Sequence, residues 1–186
     1  MTAPAFTLSD LTGEYTLDPS HTRIGFVARH AMVTKVRGSF NEFEGSAVVD
    51  GENPEKSSAK VVIKTASIDT RNEQRDGHLR SNDFINPAEY PEITWASTSV
   101  KAVDADNYEV TGDLTIKGVT KSITIPFAFE GAAKDPFGNV RIGFEGSVTI
   151  NRQDFGITWN AALETGGVLV SDKITLEFEV SAIKNA

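Results

Sequence analysis

The sequence predicts an all-β fold, an eight-stranded antiparallel β-barrel with one or two short helices. Long stretches alternate apolar and polar residues with a period of two, which is the pattern of strands with one buried and one solvated face. About eight such runs follow one another, and the turns between them are rich in Gly, Asn and Asp. A sheet of that many strands tends to curl, and closure into a barrel removes its exposed edges.

The strands are clearest in the second half of the chain. Residues 108–117, 123–129, 140–150 and 174–181 each place apolar side chains at every second position. The first half is less regular, and residues 23–29, 60–64 and 92–97 are predicted as strands there. Residues 36–50, which contain Gly38 and Gly45, predict a bent strand or a hairpin.

Two segments depart from the alternation. Residues 70–82 have few β-branched and many polar side chains, and they predict a short surface helix followed by a loop. Residues 151–156, with the sequence NRQDFG, predict a turn between strands. Because no linker or internal repeat interrupts the pattern, we expect a flexible amino-terminal tail over residues 1–12 and a single domain over residues 13–186.

The composition argues against several classes of function. The formal net charge of −8 disfavours a nucleic-acid-binding surface, and the absence of cysteine excludes disulfides and Cys-based zinc sites. No uncharged stretch is longer than the nine residues of 155–163, far short of the ~20 residues that cross a bilayer, so no transmembrane segment is expected. No basic residue precedes Arg23 and no apolar core follows the start, which predicts a cytoplasmic location.

Nothing in the sequence points to a catalytic or metal site. The spacing of His21, His30 and His78 matches no common ligand pattern, so neither a metal nor another cofactor is expected. No G-x-S-x-G nucleophile motif occurs. Asp76 and Asp154 lie beside basic residues, which favours salt bridges over acid–base catalysis. A non-enzymatic protein is therefore predicted.

The inward positions of the strands are the candidate binding site. These positions are Ile24, Phe26, Phe40, Ile63, Trp95, Leu114, Phe127, Phe129, Phe144 and Phe178. A barrel of eight strands is just wide enough to be filled by its side chains or to hold one small ligand, and the alternation leaves both possibilities open. If a ligand binds, the apolar lining predicts a lipid or another elongated hydrophobic molecule.

Five segments together resemble the YceI-like family. They are GEYTLDPSHTRIGFVARH, KVRGSFNEFEG, TASIDTRNEQRDGHLRSNDFINPAEYP, VTGDLTIKGVTKSI and INRQDFGI. The segments occur in the order found in that family, and the resemblance covers residues 13–183. One such segment alone would be weak, whereas five in register are specific.

The resemblance implies a lipocalin-like barrel whose apolar pore holds an isoprenoid chain. Members of this bacterial family are described as polyisoprenoid-binding proteins with ligands of the quinone or prenyl-phosphate type, and with suspected roles in transport, storage or stress response. Many members are periplasmic and some are homodimers, so a homodimer is a possible partner state here. For a ligand head group the candidate residues are His78, Arg80, Arg152 and Asn160. The alternative is that Arg80 pairs with Asp76 or Asp83, and Arg152 with Asp154, to hold loops.

Three hypotheses about function follow. The first is a non-enzymatic binder of a polyisoprenoid or similar amphiphile, with transport or storage as its purpose. The second is an enzyme acting on such a lipid at the pore mouth through His21, His78 or Asp154. The third is a structural or interaction module whose barrel is packed solid. A continuous cavity would favour the first over the third.

Overall fold

The structure, a computed structural model, describes residues 7–161, 163 and 169–185, and most of them lie in antiparallel strands. The strands are β1 (Gly13–Leu17), β2 (Arg23–His30), β3 (Thr34–Phe40), β4 (Phe43–Val49), β5 (Ser58–Lys64), β6 (Ile68–Asp69), β7 (Glu92–Ala102), β8 (Asn107–Ile116), β9 (Val119–Lys134), β10 (Val140–Asn151) and β11 (Lys173–Lys184). The described residues also contain the α-helix α1 (Glu73–Leu79) and short 3-10 helices at Leu8–Leu11, Pro54–Lys56, Thr65–Ser67 and Arg152–Phe155.

The strands close into an eight-stranded antiparallel barrel, which confirms the predicted fold class. Strands β1 and β2 follow each other along β11, so together they fill one position in the wall. Strands β3 and β4 fill the next position, against β2 and β1 respectively, and β6 and β5 fill the one after that. Strands β7 to β11 complete the ring, and the pairing of β1 with β11 closes it. Residues 36–50 form a bent strand, since β3 and β4 pair with other strands and not with each other.

The helix and the turn predicted from the sequence are present in shorter form. Helix α1 begins after Asn72, whose side chain accepts a hydrogen bond from the backbone N–H of Arg75. Buried Asp76 accepts hydrogen bonds from the backbone N–H and the hydroxyl of Thr70. These bonds hold the residues before the helix in a non-helical conformation. The predicted turn at residues 151–156 is a 3-10 helix that ends at Gly156, in the left-handed region at φ 74°.

Residues 7–12, which belong to the segment predicted as a flexible tail, lie against the barrel, and their flexibility stays a prediction. Thr7 caps the 3-10 helix Leu8–Leu11, and the buried side chain of Leu11 packs against Tyr15, Ile142 and Ala182. The hydroxyl of Tyr15 also donates a 2.8 Å hydrogen bond to the carbonyl oxygen of Leu11. Apolar burial therefore holds this segment on the barrel. Residues 1–6 lie outside the described residues.

The two ends of the barrel are built differently. One end, called here the helix end, carries α1, the β2–β3 turn and residues 152–161 and 169–172. Phe84, Ile85, Phe155 and Ile157 are buried there and pack across the barrel. The opposite end, called the turn end, carries the β7–β8 and β9–β10 turns and the helix Leu8–Leu11. The space between these two ends is the candidate site.

Candidate ligand-binding cavity

An apolar cavity of about 380 Å³ runs inside the barrel. This volume falls within the range of ~300–1,000 Å³ that is typical of small-molecule sites. Its lining includes Ile24, Phe26, Phe40, Ile63, Trp95, Leu114, Phe127, Phe129, Phe144 and Phe178. The structure thus places all ten predicted inward residues along the cavity, and their contact with a ligand stays a prediction. A barrel filled by its own side chains would leave no such space.

Glycines on neighbouring strands keep the cavity open. Gly38 lies directly opposite Phe26, and a Cβ atom at Gly38 would lie only 2.3 Å from Phe26 Cζ. Gly146 lies opposite Phe127 in the same way, with 2.6 Å from the would-be Cβ to Phe127 Cδ1. Because glycine has no side chain, each aromatic ring lies against the wall beside it and not across the axis.

The ring of Trp95, on strand β7, also lies against a glycine of the neighbouring strand. A Cβ atom at Gly112 would lie 2.6 Å from Trp95 Cε2, so the indole ring covers this glycine. The Nε1–H of Trp95 is buried and has no hydrogen-bond partner among the described residues. An unpaired buried donor costs ~1–3 kcal/mol, so apolar contacts hold this ring in place. Since Trp95 lines the cavity, it is a natural reporter of what enters.

An aromatic cluster lines the part of the cavity nearest the turn end. Phe144 is its centre, with ring centroids 5.2 Å from Phe129, 6.5 Å from Phe127 and 6.5 Å from Tyr108. Phe127 in turn lies 6.0 Å from Phe178. Tilted and edge-on rings at these distances stabilise one another, and they present a continuous apolar wall to the cavity.

Arg152 lies at the helix end of the cavity, and its guanidinium is hydrogen-bonded mainly to backbone carbonyl groups of the protein. It is only 3% exposed, and its guanidinium donates to the carbonyl oxygens of Ile157, Trp159, Val170 and Ser171 and to the carboxylate of Asp172. These bonds occupy all five N–H groups of the guanidinium. Burial lowers the pKa of Arg152, and the negative charge of Asp172 partly opposes this. Its carboxylate partner is Asp172, so the pairing with Asp154 expected from the sequence is wrong.

The other three head-group candidates also bind the chain itself. His78 Nε2 lies 2.9 Å from Asp83 Oδ2, and its ring packs edge-on against Trp159. Arg80 donates to the backbone carbonyls of residues 66 and 68, so its expected pairing with Asp76 or Asp83 is wrong. The side chain of Asn160 both donates to and accepts from the backbone of residue 170. Of the four candidates only Arg152 lines the cavity, and a head-group role for any of them stays a prediction.

A charged cluster that no sequence pattern predicts lies on the outer wall. Asp18 accepts hydrogen bonds from Arg141 Nη1 at 2.6 Å and from His21 Nδ1 at 2.7 Å, while Arg141 Nε donates to Asp135 at 2.8 Å. The bonds from Arg141, Ser20 and His21 hold the pKa of Asp18 well below its usual range. The cluster ties the crossing between β1 and β2 to β10, and it gives His21 a structural partner.

Tyr15 and Leu11 also line the cavity and were not among the predicted residues. The alternation of Tyr15 with Leu17 was a usable signal for Tyr15, whereas no local pattern marks Leu11. Among the described residues no group of three His, Cys, Asp or Glu side chains is placed to hold a metal ion. No helix in the same part of the chain is long and apolar enough to span a bilayer.

A closed eight-stranded barrel around an apolar cavity, with one end packed by a helix and loops, defines a class of small β-barrels with an internal binding space. The family model described as a YceI-like domain matches residues 15–182. The chain therefore belongs to the YceI-like family, as its five sequence segments indicated.

Relatives and solved structures agree with this assignment. A UPF0312 protein of Pseudomonas aeruginosa is 43% identical over 149 residues, which are 79% of this chain and 78% of that protein. The crystal structure of a Campylobacter jejuni YceI protein superposes with a TM-score of 0.74 at 32% identity, over 85% of this chain and 90% of that one. A polyisoprenoid binding domain from Saccharophagus degradans shares the fold, with a TM-score of 0.70 at 17% identity over 92% and 98% of the two chains.

Proposed function

We propose that this protein binds a long polyisoprenoid, or a similar amphiphilic lipid, in its barrel without changing it chemically. The proposal depends on the apolar cavity of about 380 Å³. Its walls can contact a hydrocarbon chain along its length, but they provide few polar partners for a ligand head group. The shared fold of the Saccharophagus degradans domain, which is described as polyisoprenoid-binding, supports the same class of ligand. Burial of the ligand's hydrocarbon chain contributes a binding free energy of roughly 25 cal/mol per Å² of apolar surface, before the entropy lost on ordering the ligand is subtracted.

The proposal includes no catalytic step. His21 and His78, the histidines considered for an enzyme at the pore mouth, each lie within 3 Å of a carboxylate in the chain itself, Asp18 and Asp83. Neither histidine is among the residues that line the cavity. Incubation with a prenyl phosphate should therefore return the compound unchanged, and a product that disappears in His78→Ala would contradict this part of the proposal.

The direct test is to look for a guest and then to titrate one. Native mass spectrometry and solvent extraction of the purified protein should release a hydrophobic compound. The protein contains two tryptophans, so Trp159→Phe leaves Trp95 as the only one. We expect a prenyl quinone to quench Trp95 in this variant, and to leave Trp159 nearly unchanged in the matched variant Trp95→Phe. Protein that is reproducibly empty and gives no Trp95 response would overturn the proposal.

Transport or storage is the purpose that we propose for this binding. Transfer of a prenyl quinone from donor to acceptor vesicles, faster with the protein than without it, would support transport. Retention of the compound without transfer would support storage instead. The cytoplasmic location and the homodimer stay predictions, which cell fractionation and light scattering would check.

A further inference from the structure

The turn of the β2–β3 hairpin presents two large apolar side chains to solvent. Met32 is 58% exposed and Val33 is 77% exposed. Ala31 and Met32 lie in the left-handed region, at φ 52° and 64°. Hairpin turns with two such residues favour Asn and Gly, because other side chains are strained there. Local folding preference therefore does not explain why a methionine occupies this tip.

The flanks of the same hairpin are basic. Arg29 lies directly opposite Lys35, an arrangement of like charges that does not stabilise a hairpin. Within the described residues neither of these two side chains forms an ion pair, and Arg37 and Arg23 share the single carboxylate of Glu177 at 3.7 Å each. The chain has a net charge of −8, yet residues 19–41 contain no Asp or Glu.

The turn end provides the contrast. Large apolar side chains are also exposed there, among them Val103 at 55% and Phe137 at 88%. Two carboxylates, Asp104 and Asp106, closely follow Val103, whereas Asp135 near Phe137 forms an ion pair with Arg141. The exposed apolar side chain of Val103 thus has acidic neighbours, whereas Met32 and Val33 lie between basic ones.

We propose that the β2–β3 hairpin docks the protein on an anionic phospholipid bilayer. Met32 and Val33 enter the headgroup region, while Arg29 and Lys35 meet the lipid phosphates. An anionic leaflet attracts basic residues at its surface, and apolar side chains among them add binding by burial. Ala28 of the same hairpin lines the cavity, so docking brings the barrel wall close to the bilayer. This inference goes beyond the proposed function and stands on the surface of the hairpin, whatever the cavity holds.

Vesicle flotation with the full chain tests the proposal. We expect binding to phosphatidylcholine vesicles that contain phosphatidylglycerol, and little binding to phosphatidylcholine alone. Raising the salt from about 0.1 M to about 1 M should release the protein, because the screening length falls from ~10 Å to ~3 Å. The double variants Met32→Asp/Val33→Asp and Arg29→Glu/Lys35→Glu should each lose at least tenfold in the vesicle-bound to free ratio, and circular dichroism checks that both fold.

Phe137→Asp and Val103→Asp are the matched controls, since they make the same kind of change at the turn end, and both should keep wild-type binding. Equal binding to neutral vesicles, no binding to any vesicle, or full binding by the hairpin variants would overturn the proposal. A dimer that Met32→Asp/Val33→Asp converts to monomer, with no vesicle binding, would assign the tip to a second copy and also overturn it. Trp95 titration in solution should be unchanged in the hairpin variants, which separates this test from that of the proposed function.

Discussion

Replacing Gly38 by alanine is expected to push an aromatic ring into the cavity. The added Cβ would lie 2.3 Å from Phe26 Cζ, whereas ordinary contact begins at 3.4 Å, so the ring must move by at least about 1.1 Å. The three nearest atoms all belong to the ring of Phe26, which is half-buried and lines the cavity. The open side of the ring is the lumen, and the ring moves there.

The expected loss of affinity follows from the space that the ring takes. If it displaces two or three methylene groups of the guest, at ~0.8 kcal/mol each, the loss is about 2 kcal/mol. This corresponds to a Kd about thirtyfold weaker. Overpacking of ~1–3 kcal/mol should also lower the free energy of unfolding, and the removal of a strand glycine offsets ~0.5–1 kcal/mol of that. Titration of Trp95 with a prenyl quinone measures the first effect, and urea unfolding measures the second.

Gly25→Ala is the control, because the backbone of Gly25 borders the cavity but the added Cβ would lie on the outer face of the same strand pair. The three atoms nearest to its Cβ would all belong to the guanidinium of Arg23, the flexible end of a long side chain. This variant should bind as the wild type does. In the Gly38→Ala background, Phe26→Leu should restore most of the affinity, since it removes the ring that moved. Wild-type affinity in Gly38→Ala, or a loss that Phe26→Leu does not repair, would refute the reasoning.

Three further predictions concern stability and the choice of ligand. The pKa of Asp18 is depressed in the folded protein, so its contribution to stability is full above the unfolded pKa of ~3.9 and is lost as the pH falls toward the folded value. Asp18→Asn should therefore lower the urea midpoint at pH 7. The difference in midpoint between the variant and the wild type should be smaller at about pH 3 than at pH 7, and an equal difference at both pH values would contradict this. Arg152→Ala should lower the free energy of unfolding by about 3 kcal/mol or more, because it strands buried acceptors, whereas a change below about 1 kcal/mol would show that the helix end does not depend on it. Each added isoprene unit should tighten binding about tenfold, at ~0.3 kcal/mol per atom, until the cavity is filled, and affinity independent of chain length would exclude the cavity as the site.

The wall of the barrel could be predicted from the sequence because its signal is local. Alternation along a strand shows which side chains face inward, and the structure places residues such as Phe144 and Phe178 along the cavity as expected. The same alternation could not distinguish a packed barrel from a hollow one. That difference depends on cross-strand register, such as the placement of Gly38 opposite Phe26, and register between distant strands is not visible in one sequence.

The partners of charged residues were harder to predict for a related reason. Adjacency suggested that Arg152 pairs with Asp154, but the fold places it against Asp172 and four backbone carbonyls. Arg141 and Asp18 are 123 residues apart in the sequence and 2.6 Å apart in space. Only the closed barrel brings such groups together, so a local pattern contains no information about them.

The seam between the first and last strands has a consequence for biosynthesis. Strands β1 and β2 each have β11 as their second partner in the wall, and the twelve residues of β11 are translated after those of the ten strands β1 to β10. Until β11 has been translated, the nascent chain can form only an open sheet, whose apolar face and unpaired edges are exposed to solvent. Such exposed surfaces favour misassembly. Pairing across almost the whole chain length also makes folding slow compared with a helical protein of equal size. A truncation that removes β11 would therefore prevent closure of the whole barrel, because β1, β2 and β10 would all lose a partner.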